Sequence, residues 1–222
     1  MAVIPAIMLN FHHGEFATVY RIAVARFNRG ESYPEGLAMT GCAFPLTRTV
    51  AIVGLMGAGK SSIGRRLAQR LKVPFVDADS EIELAAGATI EEIFDRHGEP
   101  AFRDGERRVI ARLLEGPVSV IATGGGAFMD AGTRALMRER AISVWLKADL
   151  ELLLQRVGRR NNRPLLKAGE PRAVLERLIA ERYPIYAEAD IIVDSLDGTP
   201  DATVERVVAA IAAFLGVEAP AS

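Results

Sequence analysis

The run Gly54-Leu55-Met56-Gly57-Ala58-Gly59-Lys60-Ser61 is a complete phosphate-binding loop, set between an apolar β-rich segment, Val50 to Val53, and an amphipathic helical pattern starting near Lys60. A polyphosphate needs many short-range donors and no side chains in the way. Glycines at positions 54, 57 and 59 let the backbone curl so that successive N–H groups point inward, while the following helix adds its positive N-terminal end. Lys60 is then expected to bridge the β- and γ-phosphates of a nucleotide, and the Ser61 hydroxyl to ligate Mg²⁺. Gly57, Ala58, Gly59 and Ser62 complete the expected nucleotide contacts of the loop. The bland alternative is a glycine-rich turn that happens to precede a lysine, and it leaves the flanking strand and helix unexplained.

With 222 residues, half of them apolar, the chain suits one α/β domain and a short appendage. Lys and Arg number 27 against 28 Asp and Glu, so no overall basic field gathers nucleic acid or an anionic membrane. Any polyanion must be held by local charge. The single cysteine, Cys42, cannot form an internal disulfide, which fits a reducing cytoplasm. No apolar run is long enough to span a bilayer, and the apolar start from Met1 to Leu9 has neither a basic leader nor a small-residue cleavage site. Residues 1–47 show no periodicity and are broken by Gly14, Gly30, Pro34, Gly36 and Gly41, so the reading is a poorly ordered extension, with Met39 as an alternative start. Adjacent His12 and His13 stand apart from other ligand types and do not read as a metal site. A monomer is the default expectation.

From residue 48 to 216, short apolar runs alternate with longer helical periods, the signature of a parallel sheet flanked by helices. Strands are expected at Thr49 to Val53, Pro74 to Val76, Val118 to Ala122, Ile142 to Leu146 and Ile191 to Val193. Helices are expected at Lys60 to Leu71, Ser80 to Ala85, Ile90 to Arg96, Pro100 to Leu114, Ala131 to Arg138, Leu150 to Val157, Pro171 to Ala187 and Asp201 to Leu215, before a tail at 217–222. In open sheets of this kind ligands bind beyond the carboxyl ends of the strands. Residues that follow strands therefore carry the information.

Asp77 and Asp79 follow the second strand at a spacing that turns both to one side of an extended segment. One could hold Mg²⁺ through water and the other face an acceptor, or Asp79 could simply cap the next helix. Gly124, Gly125 and Gly126 follow the third strand and leave no side chain between backbone and ligand, which favours a platform for close approach over a flexible link. Arg103 reads equally as a solvated helix charge. Arg163 sits in a polar loop with Arg159, Arg160 and Lys167, long enough to be a lid over a γ-phosphate. Arg182 has no independent signal.

Taken in order, GLMGAGKSSIGRRLA, DAD, EPAFRDGE, ATGGGA, RNNRPLL, ERYPIYAEAD and the last VDS resemble the shikimate kinase family over about Thr49 to Leu215. The resemblance implies a P-loop three-layer α/β/α fold with a five-stranded parallel sheet in the order 2-3-1-4-5. It implies transfer of the γ-phosphoryl of ATP to the 3-hydroxyl of shikimate, within aromatic amino acid biosynthesis. By the same resemblance Lys60 and Ser61 keep their phosphate and Mg²⁺ roles, and Asp77 meets the metal through water. Asp79 matches the acidic residue at the shikimate hydroxyls and the proposed base. Arg103 and Arg182 match the pair that grips the carboxylate, which a guanidinium fork fits bidentately. Gly124, Gly125 and Gly126 match the platform under the ring, Arg163 the lid arginine at the transferring phosphate, and Arg156 the arginine stacked on adenine. The segment Leu196 to Thr199 falls near the adenine loop. The alternatives are another small-molecule kinase, of gluconate or nucleoside monophosphate type, and a nucleotide-binding module without catalysis.

Overall fold

Strand β1, Thr49–Val53, is buried at every residue and forms the middle of the sheet. A strand covered on both faces must be apolar throughout rather than alternating, which is how TVAIV reads. It pairs in parallel with β3, Val120–Ala122, on one side and with β4, Ala141–Lys147, on the other. Strand β2, Phe75–Asp77, adds to β3, and β5, Ile191–Asp194, adds to β4, so the order is β2-β3-β1-β4-β5 with every pairing parallel. This is the expected sheet. The computed structural model describes residues 46–158 and 170–218. The extension expected over 1–47, apart from Leu46 and Thr47, and the loop carrying Arg159, Arg160, Arg163 and Lys167 lie outside the described residues.

Helix α1, Lys60–Leu71, starts where Gly59 takes the left-handed conformation at φ 95°, and it packs along β1, β2 and β3. Helix α2, Ala78–Ala86, begins two residues before the expected Ser80, directly from the end of β2. Helix α3, Ile90–Glu115, is opened by a reciprocal Thr89–Glu92 capping box and broken at Gly98, whose φ of 78° and ψ of 172° are not helical. Two helices were expected there, and the break lies between them.

One turn of 3₁₀ helix, Ala127–Met129, follows the glycine triplet and has no signal in the sequence. Helix α4, Ala131–Arg140, is capped by Asp130 and packs on β4 and α3. Helices α5, Leu150–Gly158, and α6, Pro171–Tyr186, pack on each other. Helix α7, Pro200–Leu215, is capped by Thr199 and covers β5 beside α1. Among the described residues no helix is long and apolar enough to cross a membrane.

The start of the outermost strand on the β4 side is also tied down by a carboxylate. Asp190 Oδ2 accepts from the Ser143 backbone N–H at 2.8 Å and from its hydroxyl at 2.7 Å, and the Ser143 oxygen accepts from the Asp190 N–H at 2.9 Å. Ser143 is only 3% exposed, so its two donors have little access to bulk water, while Asp190 is partly buried. Replacing Asp190 by Ala should therefore cost about 2–3 kcal/mol, the penalty for stranding buried donors. Urea denaturation checks this, with the midpoint expected to fall and the slope to stay constant.

Candidate active site

The loop Gly54 to Ser61 leaves the carboxyl end of β1 and feeds α1. Its curl is closed by an Ala58 N–H donating to the Leu55 carbonyl at 3.2 Å. Gly54, Gly57 and Gly59 all have positive φ, at 137°, 84° and 95°. A Cβ on Gly54 would stand 2.7 Å from the Leu146 carbonyl oxygen, so strand β4 passes too close for any side chain there. Lys60 folds its ammonium back over the loop and donates to the carbonyls of Gly54 at 2.9 Å and Leu55 at 3.0 Å. Ser61 Oγ donates to Asp77 Oδ2 at 2.8 Å, which pairs a hydroxyl and a carboxylate at the mouth of the loop. Ser62 Oγ is taken up by Arg66 Nη1 at 2.9 Å.

At the other edge of the loop, Arg156 on α5 donates to the carbonyls of Ala58 and Leu196 at 3.4 and 3.0 Å and to Ser195 Oγ at 2.9 Å. Ser195 Oγ itself donates to the Ala58 carbonyl at 3.1 Å. Arg156 thus joins the phosphate loop to the segment after β5, the region expected near adenine.

A second cluster forms around the glycine triplet. A Cβ on Gly124 would meet Asp79 Oδ1 at 2.8 Å and Glu106 Oε1 at 2.6 Å. One on Gly126 would collide with the Arg103 guanidinium, and one on Gly125 would touch Arg182 Nη1 at 3.7 Å and the Gly54 carbonyl at 3.6 Å. Three bare backbone positions thereby let Asp79, Glu106, Arg103 and Arg182 converge beside the phosphate loop. Arg182 Nη1 and the Tyr186 hydroxyl both donate to the Gly125 carbonyl, the first at 2.9 Å. Arg103 donates to Glu106 Oε2 at 2.7 Å and to Glu99 Oε1 at 3.0 Å. It is no solvated helix charge.

Two sequence expectations change here. Asp77 and Asp79 do not lie together on an extended segment, because the strand ends at Asp77 and the helix begins at Ala78. The rotation sends Asp77 to Ser61 and Asp79 to the glycine turn. The helix cap is Asp77, which accepts from the Asp79 N–H at 3.2 Å, and not Asp79. Sequence reasoning missed Glu106, although its placement three residues after Arg103 on a helix is the spacing of an ion pair. It also missed Tyr186, one turn after Arg182 and fully buried. Arg163 lies outside the described residues, and no group of three or more metal-ligating side chains occurs among those described.

Comparison with known proteins decides the family. The sequence model of shikimate kinase matches residues 56–212. The shikimate kinase of Paramagnetospirillum magneticum is 59% identical over 171 residues, covering 77% of this chain and 88% of that protein. That of Nitrobacter winogradskyi is 65% identical over 150 residues, 68% of this chain and 70% of its own. The chain belongs to the shikimate kinase family. Among solved structures, the shikimate kinase from Acinetobacter baumannii in complex with shikimate superposes with a TM-score of 0.73 at 38% identity, over 78% of this chain and 96% of that one.

In this member of the shikimate kinase family, Glu106 is the electrostatic centre of the second cluster. It is 2% exposed, and its Oε1 has no hydrogen-bond partner among the described residues. Burial pushes its carboxyl above the usual range; Arg103 pulls it back, while the nearby Asp79 charge adds to the rise. The native protein therefore holds this proton at higher pH than the unfolded chain, where the carboxyl titrates near 4.5. Between those two values the native state binds more protons, so stability falls as pH rises through the window and the loss is complete above it. Glu106→Gln should flatten that part of the profile, as read from urea midpoints at stepped pH from about 4 upward.

Proposed function

We propose that this protein transfers the γ-phosphoryl group of ATP to the 3-hydroxyl of shikimate, giving shikimate 3-phosphate and ADP. The observation that carries the reading is the meeting of two guanidiniums and a carboxylate at a bare glycine turn whose Gly125 lies against the phosphate loop. That chemistry fits a small hydroxylated carboxylate held next to a nucleotide, and the similar Acinetobacter enzyme was solved with shikimate bound. A guanidinium pair would suit the phosphate of a nucleoside monophosphate as well, so the choice of shikimate over such an acceptor is supported by the family.

Phosphoryl transfer passes through a loose transition state, so placement and neutralisation outweigh bond-making by the protein. Arg103 and Arg182 fork onto the acceptor carboxylate and fix the ring. Asp79 orients the 3-hydroxyl and takes its proton as the new O–P bond forms and the bond to the β-phosphate oxygen breaks, leaving ADP. Lys60 exchanges the carbonyls of Gly54 and Leu55 for phosphate oxygens. The Ser61 hydroxyl and, through water, the Asp77 carboxylate are hard oxygen donors that suit Mg²⁺, which when bound supplies positive charge to the phosphate oxygens. Arg156 flanks the adenine, and Arg163 comes over the γ-phosphate from its loop and excludes water. All of these groups come from one chain, so a monomer suffices.

A coupled assay offering shikimate, gluconate and nucleoside monophosphates with ATP tests the reading; turnover with shikimate is expected, and turnover only with another acceptor overturns it. Asp79→Asn should keep ATP affinity within about twofold and lose about 10²- to 10⁴-fold in turnover, the range of general-base catalysis. Unchanged turnover would leave Asp79 a purely structural residue.

A further inference from the structure

We infer that Tyr186 is a positioning residue for acceptor binding, acting through the Gly125 carbonyl, with Arg182 as its partner in a two-donor clamp. The inference rests on the function proposed above. A carbonyl oxygen has two lone pairs, and here both are used from the same helix one turn apart: Arg182 Nη1 donates at 2.9 Å and the Tyr186 hydroxyl donates beside it.

Tyr186 is well suited to fix a point in space. It is 0% exposed, and its ring is packed against Trp145 and Phe128 with centroids 5.8 and 6.3 Å away. A phenol ring has few torsions to lose, so its hydroxyl sits where the core puts it. Burial holds that hydroxyl in its neutral, donating form, raising its pKa against the pull of Arg182.

The consequence reaches the ligand through peptide geometry. The Gly125 carbonyl and the Gly126 N–H belong to one trans peptide, so they point in opposite directions. Turning the carbonyl onto α6 fixes the direction of the Gly126 N–H, a donor that an anionic acceptor group can use. A glycine pair has no side chain to set this orientation for itself. The same bond occupies one end of the Arg182 guanidinium, so this long side chain is already ordered before the ligand arrives.

Tyr183→Phe supplies a matched control. The Tyr183 hydroxyl is on the same helix, its ring 6.3 Å from that of Tyr186, and it donates to a different backbone carbonyl, that of Ala148. In Tyr186→Phe the KM for shikimate should rise about tenfold, the loss expected for one buried hydrogen bond to a binding element, with the KM for ATP within about twofold. Tyr183→Phe should leave the shikimate KM unchanged. A second measurement needs no acceptor: in the free protein the Gly126 amide resonance should shift or broaden in Tyr186→Phe and not in Tyr183→Phe. An unmoved amide, or equal rises in shikimate KM for both variants, overturns the clamp. Wild-type turnover with shikimate is scored separately and bears on the proposed function, since the amide measurement is independent of the reaction.

Discussion

The glycine turn after β3 is the constraint from which the rest of the site follows. At two of its positions a functional group from another element stands where a Cβ would go, Asp79 and Glu106 over Gly124 and Arg103 over Gly126, and Arg182 lies within contact distance of Gly125. Adding one methyl at Gly124 or Gly126 would displace one of these groups, whereas one at Gly125 would only touch Arg182. Close packing is usually discussed for apolar cores. Here it governs charges, and it is why two acids and two guanidiniums can share so small a space with their charges interleaved.

Sheet order then sets this cluster beside the nucleotide loop. Strands β1 and β3 are hydrogen-bonded neighbours with Ile52 opposite Ala122, so the loops that leave them start at the same height. Thr123 secures the junction, its N–H and hydroxyl both donating to the Ile52 carbonyl at 3.1 and 3.0 Å. The distance between donor and acceptor halves is therefore fixed by backbone pairing in the most buried part of the molecule. Thermal motion of surface segments has little leverage on it.

Much of this was legible in the sequence because it is periodic or local. The apolar runs gave the strands, two separate helical patterns, Ile90 to Arg96 and Pro100 to Leu114, marked the break in α3, and the phosphate loop announced its own geometry. What was illegible depends on long-range contact. Asp77 and Asp79 look equivalent in sequence, and only the early start of α2 sends them to different partners. Glu106 and Tyr186 resemble an ordinary surface acid and an ordinary core aromatic until folding brings them to Gly124 and Gly125. Arg182 carried no signal of its own, and its meaning comes from a carbonyl 57 positions earlier in the chain.

The break at Gly98 divides a crossover that is unusually long for joining β2 to β3, running through all of α2 and α3. That single connection carries Asp79, Arg103 and Glu106, whereas Lys60, Ser61 and Arg156 lie on other connections. Three of the four charged groups at the glycine turn are thus written on one stretch of chain, while the fourth, Arg182, shares the β4–β5 connection with Arg156. Changes confined to this crossover would alter three of those four groups at once while leaving Lys60, Ser61 and Arg156 where they stand.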